Sequence, residues 1–208
     1  QADTVLILSG DHIYKMDYRP MLDFHRRNNA DLTIGVMPVP IEEAFRYGIM
    51  QIDEDQRIVQ FYEKPKERDK GNLASMGIYI FSMEFLTSAL MGDAEDEASQ
   101  HDFGKNIIPA AIQSAKSVAY PYLNSRGEPD YWRDVGSIYS YWKANIELCD
   151  IEPELNLYER DWPIWTYQSQ SPPAKFAFDD EGRRGQAIDS LVAGGCIISG
   201  AKVKRSVI

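Results

Sequence analysis

Thr4 to Tyr14 reads TVLILSGDHIY. Its apolar run, Val5-Leu6-Ile7-Leu8, is too short for a helix and is closed by Ser9-Gly10. Such a run predicts a strand buried on both faces, as in a parallel sheet under helices. The strand stops at Gly10 and delivers Asp11 at its carboxyl end, the edge where ligands bind in open α/β sheets. A carboxylate held there by rigid backbone can hold a cation over a phosphate. Asp is also a favoured turn residue, so the same position reads equally well as a turn cap.

Downstream, strand and helix signals alternate, which predicts an α/β domain. Asp17 can cap a helix to about Asn28, with Tyr18, Met21, Leu22 and His25 on one face. Leu32 to Val39 reads as a strand, and Gly48–Ile52 with Ile58–Tyr62 as a hairpin around Asp53-Glu54-Asp55-Gln56. Ala74–Phe81 and Val118–Tyr122 are further strands, Met83–Met91 is helical and Asp102 opens another helix. Ser137 caps a helix to about Leu148, with Ile138, Tyr141, Trp142 and Ile146 as its buried stripe. Residues 1–149 are therefore expected as one domain, and 150–186 as a linker, whose Pro- and aromatic-rich first part, to Pro173, packs on its neighbours. From Ala187, Leu191, Ile197 and Val203 recur every six residues, and Gly194, Gly200 and Ser206 keep the same step. That is the pattern of a parallel β-helix, with 187–208 as its first coil. Gln1 standing directly before a strand, and one coil where several must stack, predict a piece of a longer protein.

The net charge of -10 argues against bulk binding of nucleic acid, which needs a basic patch, but not against a small anionic ligand. No stretch approaches the roughly 20 apolar residues of a membrane span. Cys149 and Cys196 stand far apart without CxxC spacing, which predicts a reduced cytosolic compartment and no thiol chemistry.

Three constellations could carry chemistry. In Glu63-Lys64-Pro65 the lysine can point a compact charge at a phosphate, and the glutamate can accept hydrogen bonds from sugar hydroxyls. A solvated strand end is the plain alternative. Trp132-Arg133-Asp134 again sets an Asp at a strand end before a helix, so Asp11 and Asp134 could together hold Mg²⁺ for phosphoryl or nucleotidyl transfer, or be two unrelated caps. Ser75-Met76-Gly77-Ile78-Tyr79 lines up a hydroxyl, a close-approach glycine and a phenol, and His101-Asp102-Phe103-Gly104-Lys105 opens a helix with a carboxylate. Taken alone, both read as a strand interior and an N-cap.

GDHIYKMDY (Gly10–Tyr18), MPVPIEEA (Met37–Ala44), YEKP (Tyr62–Pro65), SMGIYIF (Ser75–Phe81), HDFGK (His101–Lys105), YWRDVGS (Tyr131–Ser137), PPAKF (Pro172–Phe176) and SLVAGGCIISG (Ser190–Gly200) occur in this order. The series resembles the bacterial glycogen-synthesis ADP-glucose pyrophosphorylases (glucose-1-phosphate adenylyltransferases). The resemblance implies a Rossmann-like α/β nucleotidyltransferase domain followed by a left-handed parallel β-helix. It implies transfer of AMP from ATP to glucose 1-phosphate with Mg²⁺, in an allosteric, cytoplasmic homotetramer. Asp11, Asp134 and Lys64 match catalytic positions, the two aspartates as metal-positioning residues and Lys64 as the sugar-phosphate lysine. Gly48, Glu63 and Ser75 match sugar-binding positions, and Asp102, Phe103, Trp132 and Tyr79 match the sugar-pocket wall. Asp11 is read as positioning metal rather than abstracting a proton, because a phosphate monoester oxygen is already nucleophilic. The family's glycine-rich GGxGxRLxPLT loop has no counterpart in these residues, so the isolated chain is expected to be inactive. Two alternatives stay open: a pyrophosphorylase for another sugar nucleotide, and a regulatory subunit without catalysis. The second should have lost metal or phosphate positions, yet Asp11, Lys64 and Asp134 all stand.

Overall fold

The computed structural model describes residues 2–208. In chain order its elements are β1 (Thr4–Leu8), β2 (His12–Tyr14), α1 (Arg19–Arg27), β3 (Leu32–Pro38), β4 (Gly48–Ile52), β5 (Ile58–Glu63), β6 (Leu73–Ser82), α2 (Met83–Glu95), α3 (Ile108–Ser114), β7 (Ser117–Pro121), β8 (Trp132–Asp134), α4 (Ile138–Glu147), β9 (Lys175–Ala177), β10 (Gln186–Ile188), β11 (Ile197–Ser199) and β12 (Lys202–Lys204). Short 3₁₀ or π turns join them at Ala44–Arg46, Arg68–Lys70 and Phe103–Ile107. The chain forms two compact units. The first holds the segment ending at Gly10 together with Met16–Asp130, and the second holds Asp11–Lys15 and Tyr131–Ile208.

The first unit is built on a six-stranded sheet in the order β5-β4-β6-β3-β7, with β1 also pairing β6. The ten-residue β6 runs antiparallel to β1, β3 and β4, and β3 runs parallel to β7. Leu32 to Met37 of β3 are all buried, as a near-continuous apolar run in a central strand should be. Leu32, Ile34, Val36, Phe81, Leu86, Ile108 and Ala111 belong to one core. His25 is buried on α1 with its Nδ1 2.8 Å from Thr33 Oγ1. The helix begins at Arg19 rather than at an Asp17 cap. Tyr18 occupies the N-cap, and Asp17 Oδ1 accepts from the Arg19 backbone N–H at 3.0 Å.

β1 differs from its expectation. It is antiparallel to β6 and half-exposed, with Leu6 39% and Leu8 42% accessible, while Val5 and Ile7 pack on the core. An uninterrupted apolar run does not distinguish one covered face from two, and here the strand's alternation decides which residues are inside. Gly77 also has a conformational task. The β3–β6 register slips between Ile34 and Val36, and Gly77 sits opposite the slip with φ +66°. It supplies the left-handed residue of a bulge, which L side chains rarely adopt.

In the second unit β2 pairs antiparallel with β8, His12 opposite Asp134. Asp134 therefore closes a two-stranded ribbon and not a strand of the large sheet. Ser137 caps α4 as expected, its Oγ accepting from the Ser140 backbone N–H at 3.1 Å. The expected buried stripe is mostly bare: Ile138 is 91% accessible, Tyr141 and Trp142 are exposed, Ile146 is half-buried, and α4 buries Ala144. A 3.6-residue stripe defines a face without supplying a neighbour to cover it. In the 150–173 stretch Leu155 is buried, as packing on neighbours requires, whereas Ile151, Trp165 and Tyr167 are exposed. Its Trp162 ring carries Lys15 Nζ at 4.8 Å.

The last strands pair as coils do. β9 is parallel to β11 (Lys175 opposite Ile197), and β10 is parallel to β12 (Gln186 opposite Lys202). These offsets of 22 and 16 residues bracket the roughly 18 of three hexapeptides. Ile198, not Ile197, points inward: Ile198 is 7% accessible and Ile197 68%. Gly195 turns with φ +86° just before this strand, and a one-residue shift in a strand moves each side chain to the other face.

Candidate active site

In the first unit the β4–β5 hairpin sets Gly48 opposite Glu63. A Cβ at Gly48 would lie 2.5 Å from the Phe61 ring and 3.2 Å from Glu63 Oε2, so only glycine lets these groups close in. Lys64 follows with φ +47°, its backbone N–H donating to Tyr47 O at 3.1 Å. A lysine in the left-handed region is uncommon, and such backbone is characteristic of binding turns. Its exposed Nζ stands 3.8 Å from Glu63 Oε1.

Asp102 caps the turn of HDFGK, its Oδ1 accepting from the Lys105 backbone N–H at 2.9 Å. Two residues on, a Cβ at Gly104 would lie 2.7 Å from Glu63 Oε2 and 3.4 Å from Asp102 Oδ1. The two carboxylate oxygens are thus at most 6.1 Å apart, the sum of those distances. Burial pushes the Glu63 carboxyl above its usual range; Lys64 opposes the shift and the Asp102 charge adds to it. Tyr79 stacks on Phe103 with centroids 6.2 Å apart and planes 6° from parallel. Ser75 Oγ donates to its phenol at 3.4 Å. Burial raises the Tyr79 phenol, Ser75 counters, and Glu63 and Asp102 raise it further. Of seven predicted residues, Gly48, Lys64 and Asp102 gather about the Glu63 carboxylate, and Ser75, Tyr79 and Phe103 form a second group joined to it through the Asp102–Gly104 turn.

The second unit holds the other three. The Val135 backbone N–H donates to Asp11 O at 3.1 Å, extending the β2–β8 ribbon and setting Asp11 beside Asp134. A Cβ at Gly136 would lie 3.0 Å from Asp134 Oδ1 and 3.5 Å from Asp11 Oδ2. Those oxygens are therefore at most 6.5 Å apart, again the sum of the two distances. The Gly136 backbone N–H also donates to Asp134 Oδ1 at 2.8 Å. Trp132, on the same strand face as Asp134, meets the His12 ring edge-on at 5.0 Å, and His12 Nε2 is 3.6 Å from Asp11 Oδ1. Arg133, on the opposite face, is tied to Glu147 at 3.0 Å and Glu154 at 2.8 Å. Among the described residues no group of three or more His, Cys, Asp or Glu is arranged to hold a metal. Two carboxylates nevertheless suit Mg²⁺, which keeps several waters and takes one or two carboxylates plus substrate phosphates.

Gly104 and His12 were not singled out from the sequence. The signal for Gly104 was a glycine in a helical first turn, where alanine would be favoured by about 1 kcal/mol. His12 carried no signal beyond its place beside Asp11.

Residues 1–151 match the nucleotidyl transferase family. The chain belongs to that family. Residues 172–208 match the GlmU-like C-terminal hexapeptide family, so the nucleotidyl transferase domain is followed by a left-handed β-helical repeat. Among curated nucleotidyl transferases, the chain is 57% identical to the glucose-1-phosphate adenylyltransferase of Thiobacillus denitrificans (98% of this chain, 48% of the relative). It is 58% identical to that of Hydrogenovibrio crunogenus (99% and 50%) and 54% identical to that of Methylococcus capsulatus (98% and 50%). The chain spans about half the length of the curated relatives it matches. No helix among the described residues is long and apolar enough to cross a membrane.

Proposed function

We propose that the protein carrying this chain transfers AMP from ATP to α-D-glucose 1-phosphate, giving ADP-glucose and pyrophosphate. The substrates follow the names of its relatives. The observation that carries the reading is the corner at Glu63 and Lys64, where a half-buried carboxylate and a solvated ammonium are held side by side on strained backbone. Lys64 offers a point charge to the phosphate of the sugar. Glu63 and Asp102 accept hydrogen bonds from sugar hydroxyls, and the stacked Phe103 and Tyr79 give the ring an apolar wall. Ser75 supports the Tyr79 phenol, and Gly48 leaves room for Glu63.

Asp11 and Asp134 would hold Mg²⁺; the closeness of their oxygens to one point above Gly136 supports this. When bound, the ion neutralises phosphate charge and stabilises charge developing in nucleotidyl transfer. The protein's own contribution is to fix both carboxylates on ribbon backbone, with Trp132 and His12 packed beside them. Two free thiols, Cys149 and Cys196, fit a reducing cytoplasm. A homotetramer is part of the same reading, and light scattering on the intact protein tests it.

The test of function is pyrophosphate release by the intact protein with ATP, glucose 1-phosphate and Mg²⁺. Other nucleoside triphosphates and other sugar 1-phosphates are offered in parallel. Preferential turnover of another pair would replace this reading with a different sugar-nucleotide pyrophosphorylase. No turnover with any pair would favour a regulatory subunit.

A further inference from the structure

We propose that Asp93 and His101 form a clasp that positions the Asp102–Gly104 turn against Glu63 and Tyr79, and so sets affinity for the sugar phosphate. The clasp rests on the sugar-pocket reading above; its geometry does not. Asp93 lies in the last turn of α2, where an acidic side chain opposes the helix dipole and a basic one would be expected. Its location is explained by what it holds. Ser99 Oγ donates to Asp93 Oδ1 at 2.6 Å, His101 Nδ1 stands 2.7 Å from Asp93 Oδ2, and the His101 backbone N–H donates to Ser99 Oγ at 3.0 Å. Both carboxylate oxygens are used, and those hydrogen bonds draw the Asp93 carboxyl below its usual range.

The clasp closes one residue before the pocket wall. His101 has φ +54°, a left-handed conformation that a non-glycine residue keeps only when its surroundings impose it. The chain leaves that residue directly into Asp102, Phe103 and Gly104. The tolerance there is small, since even a Cβ at Gly104 would lie 2.7 Å from Glu63 Oε2. Asp93 and His101 touch no reacting group, so they are positioning residues.

The experiment is steady-state kinetics on the intact protein with Asp93→Ala, His101→Ala and His101→Asn. Asp93→Ala keeps a good helix former in α2. Asn tolerates the left-handed φ and keeps a donor near the Nδ1 position. Misplacing a binding group by a fraction of an ångström should raise the KM for glucose 1-phosphate about tenfold in both Ala variants. The KM for ATP should stay within about twofold, and His101→Asn should recover most of the loss. Unchanged KM for glucose 1-phosphate in Asp93→Ala, equal rises for both substrates, or an Asn variant as impaired as Ala would overturn the proposal. Hydrogen exchange without ligand separates this failure from failure of the functional reading. Amides 103–107 should exchange faster in Asp93→Ala, and unchanged exchange overturns the clasp even in a protein that takes a different substrate.

Discussion

At Gly104 the effect of a single hydrogen in place of a methyl can be worked through. Alanine would favour the helical turn by about 1 kcal/mol. Its Cβ, however, would meet Glu63 Oε2 at 2.7 Å, and the carboxylate is the part that can swing away. Gly104→Ala should therefore leave the melting temperature unchanged or slightly raised while weakening glucose 1-phosphate binding. Calorimetric titration beside a thermal melt checks both halves, and a variant that loses stability and keeps affinity would contradict the assignment. Glu63 shows the same opposition between stability and use. Its carboxyl is raised above the ordinary 4.5 by burial, so between that value and the higher folded one the folded chain binds the proton more tightly than the unfolded chain does. The stability from protonated Glu63 is complete below about pH 4.5 and is lost as pH rises through the higher folded value. Glu63→Gln should accordingly be more stable than wild type at neutral pH, with the two melting curves converging in acid. A gap that widens in acid would reverse the sign of the argument.

Elements with self-contained signals were legible in the sequence. The β4–β5 hairpin, the Asp102 and Ser137 caps and the alternation of strand and helix depend on neighbours within a few residues, and they stand as expected. What was not legible depends on partners distant in the chain. The one-sided burial of β1, the bare face of α4 and the bulge at Gly77 are decided by what packs alongside, which periodicity does not encode. For the site, short motifs identified the residue types, but the closeness of Glu63 to Asp102 required the β4–β5 hairpin and the HDFGK turn to meet. The coil register is the sharpest instance, because Ile197 and Ile198 are equally apolar and a six-residue count favours the wrong one. Ile198→Ala should cost about 2–5 kcal/mol, the usual loss for a buried large-to-small change. Ile197→Ala should stay within about 0.5 kcal/mol, as for an exposed site. Chemical denaturation of the two variants decides between the registers, and equal losses would mean that Ile197 also has a covered face.

On the scale of the whole molecule, the candidate residues divide by unit. Glu63, Lys64, Asp102 and Tyr79 belong to the first unit, whereas Asp11, Trp132 and Asp134 belong to the second. The chain enters the second unit at Asp11, returns at Met16 and leaves again at Tyr131, so the two carboxylates come from separate passages joined by the β2–β8 ribbon. This division predicts a division of kinetic effects. On the proposed reading Lys64 would meet the sugar phosphate in both ground and transition states, so Lys64→Ala should raise the KM for glucose 1-phosphate by orders of magnitude and leave that for ATP nearly unchanged. On the same reading Asp134 would serve charge that develops during transfer, so Asp134→Asn should lower kcat about a hundredfold, the scale of losing one preorganised electrostatic contact. Its KM for glucose 1-phosphate should move less than about threefold, since an interaction made only in the transition state lowers kcat and kcat/KM together. Asn keeps the side-chain oxygen that accepts from the Gly136 N–H, so the ribbon should survive the change. Steady-state kinetics of the intact protein, varying each substrate in turn, separates the two patterns. If Asp134→Asn raised the KM for glucose 1-phosphate as strongly as Lys64→Ala, the second unit would be binding the sugar phosphate, and the assignment of its carboxylates to metal would fail.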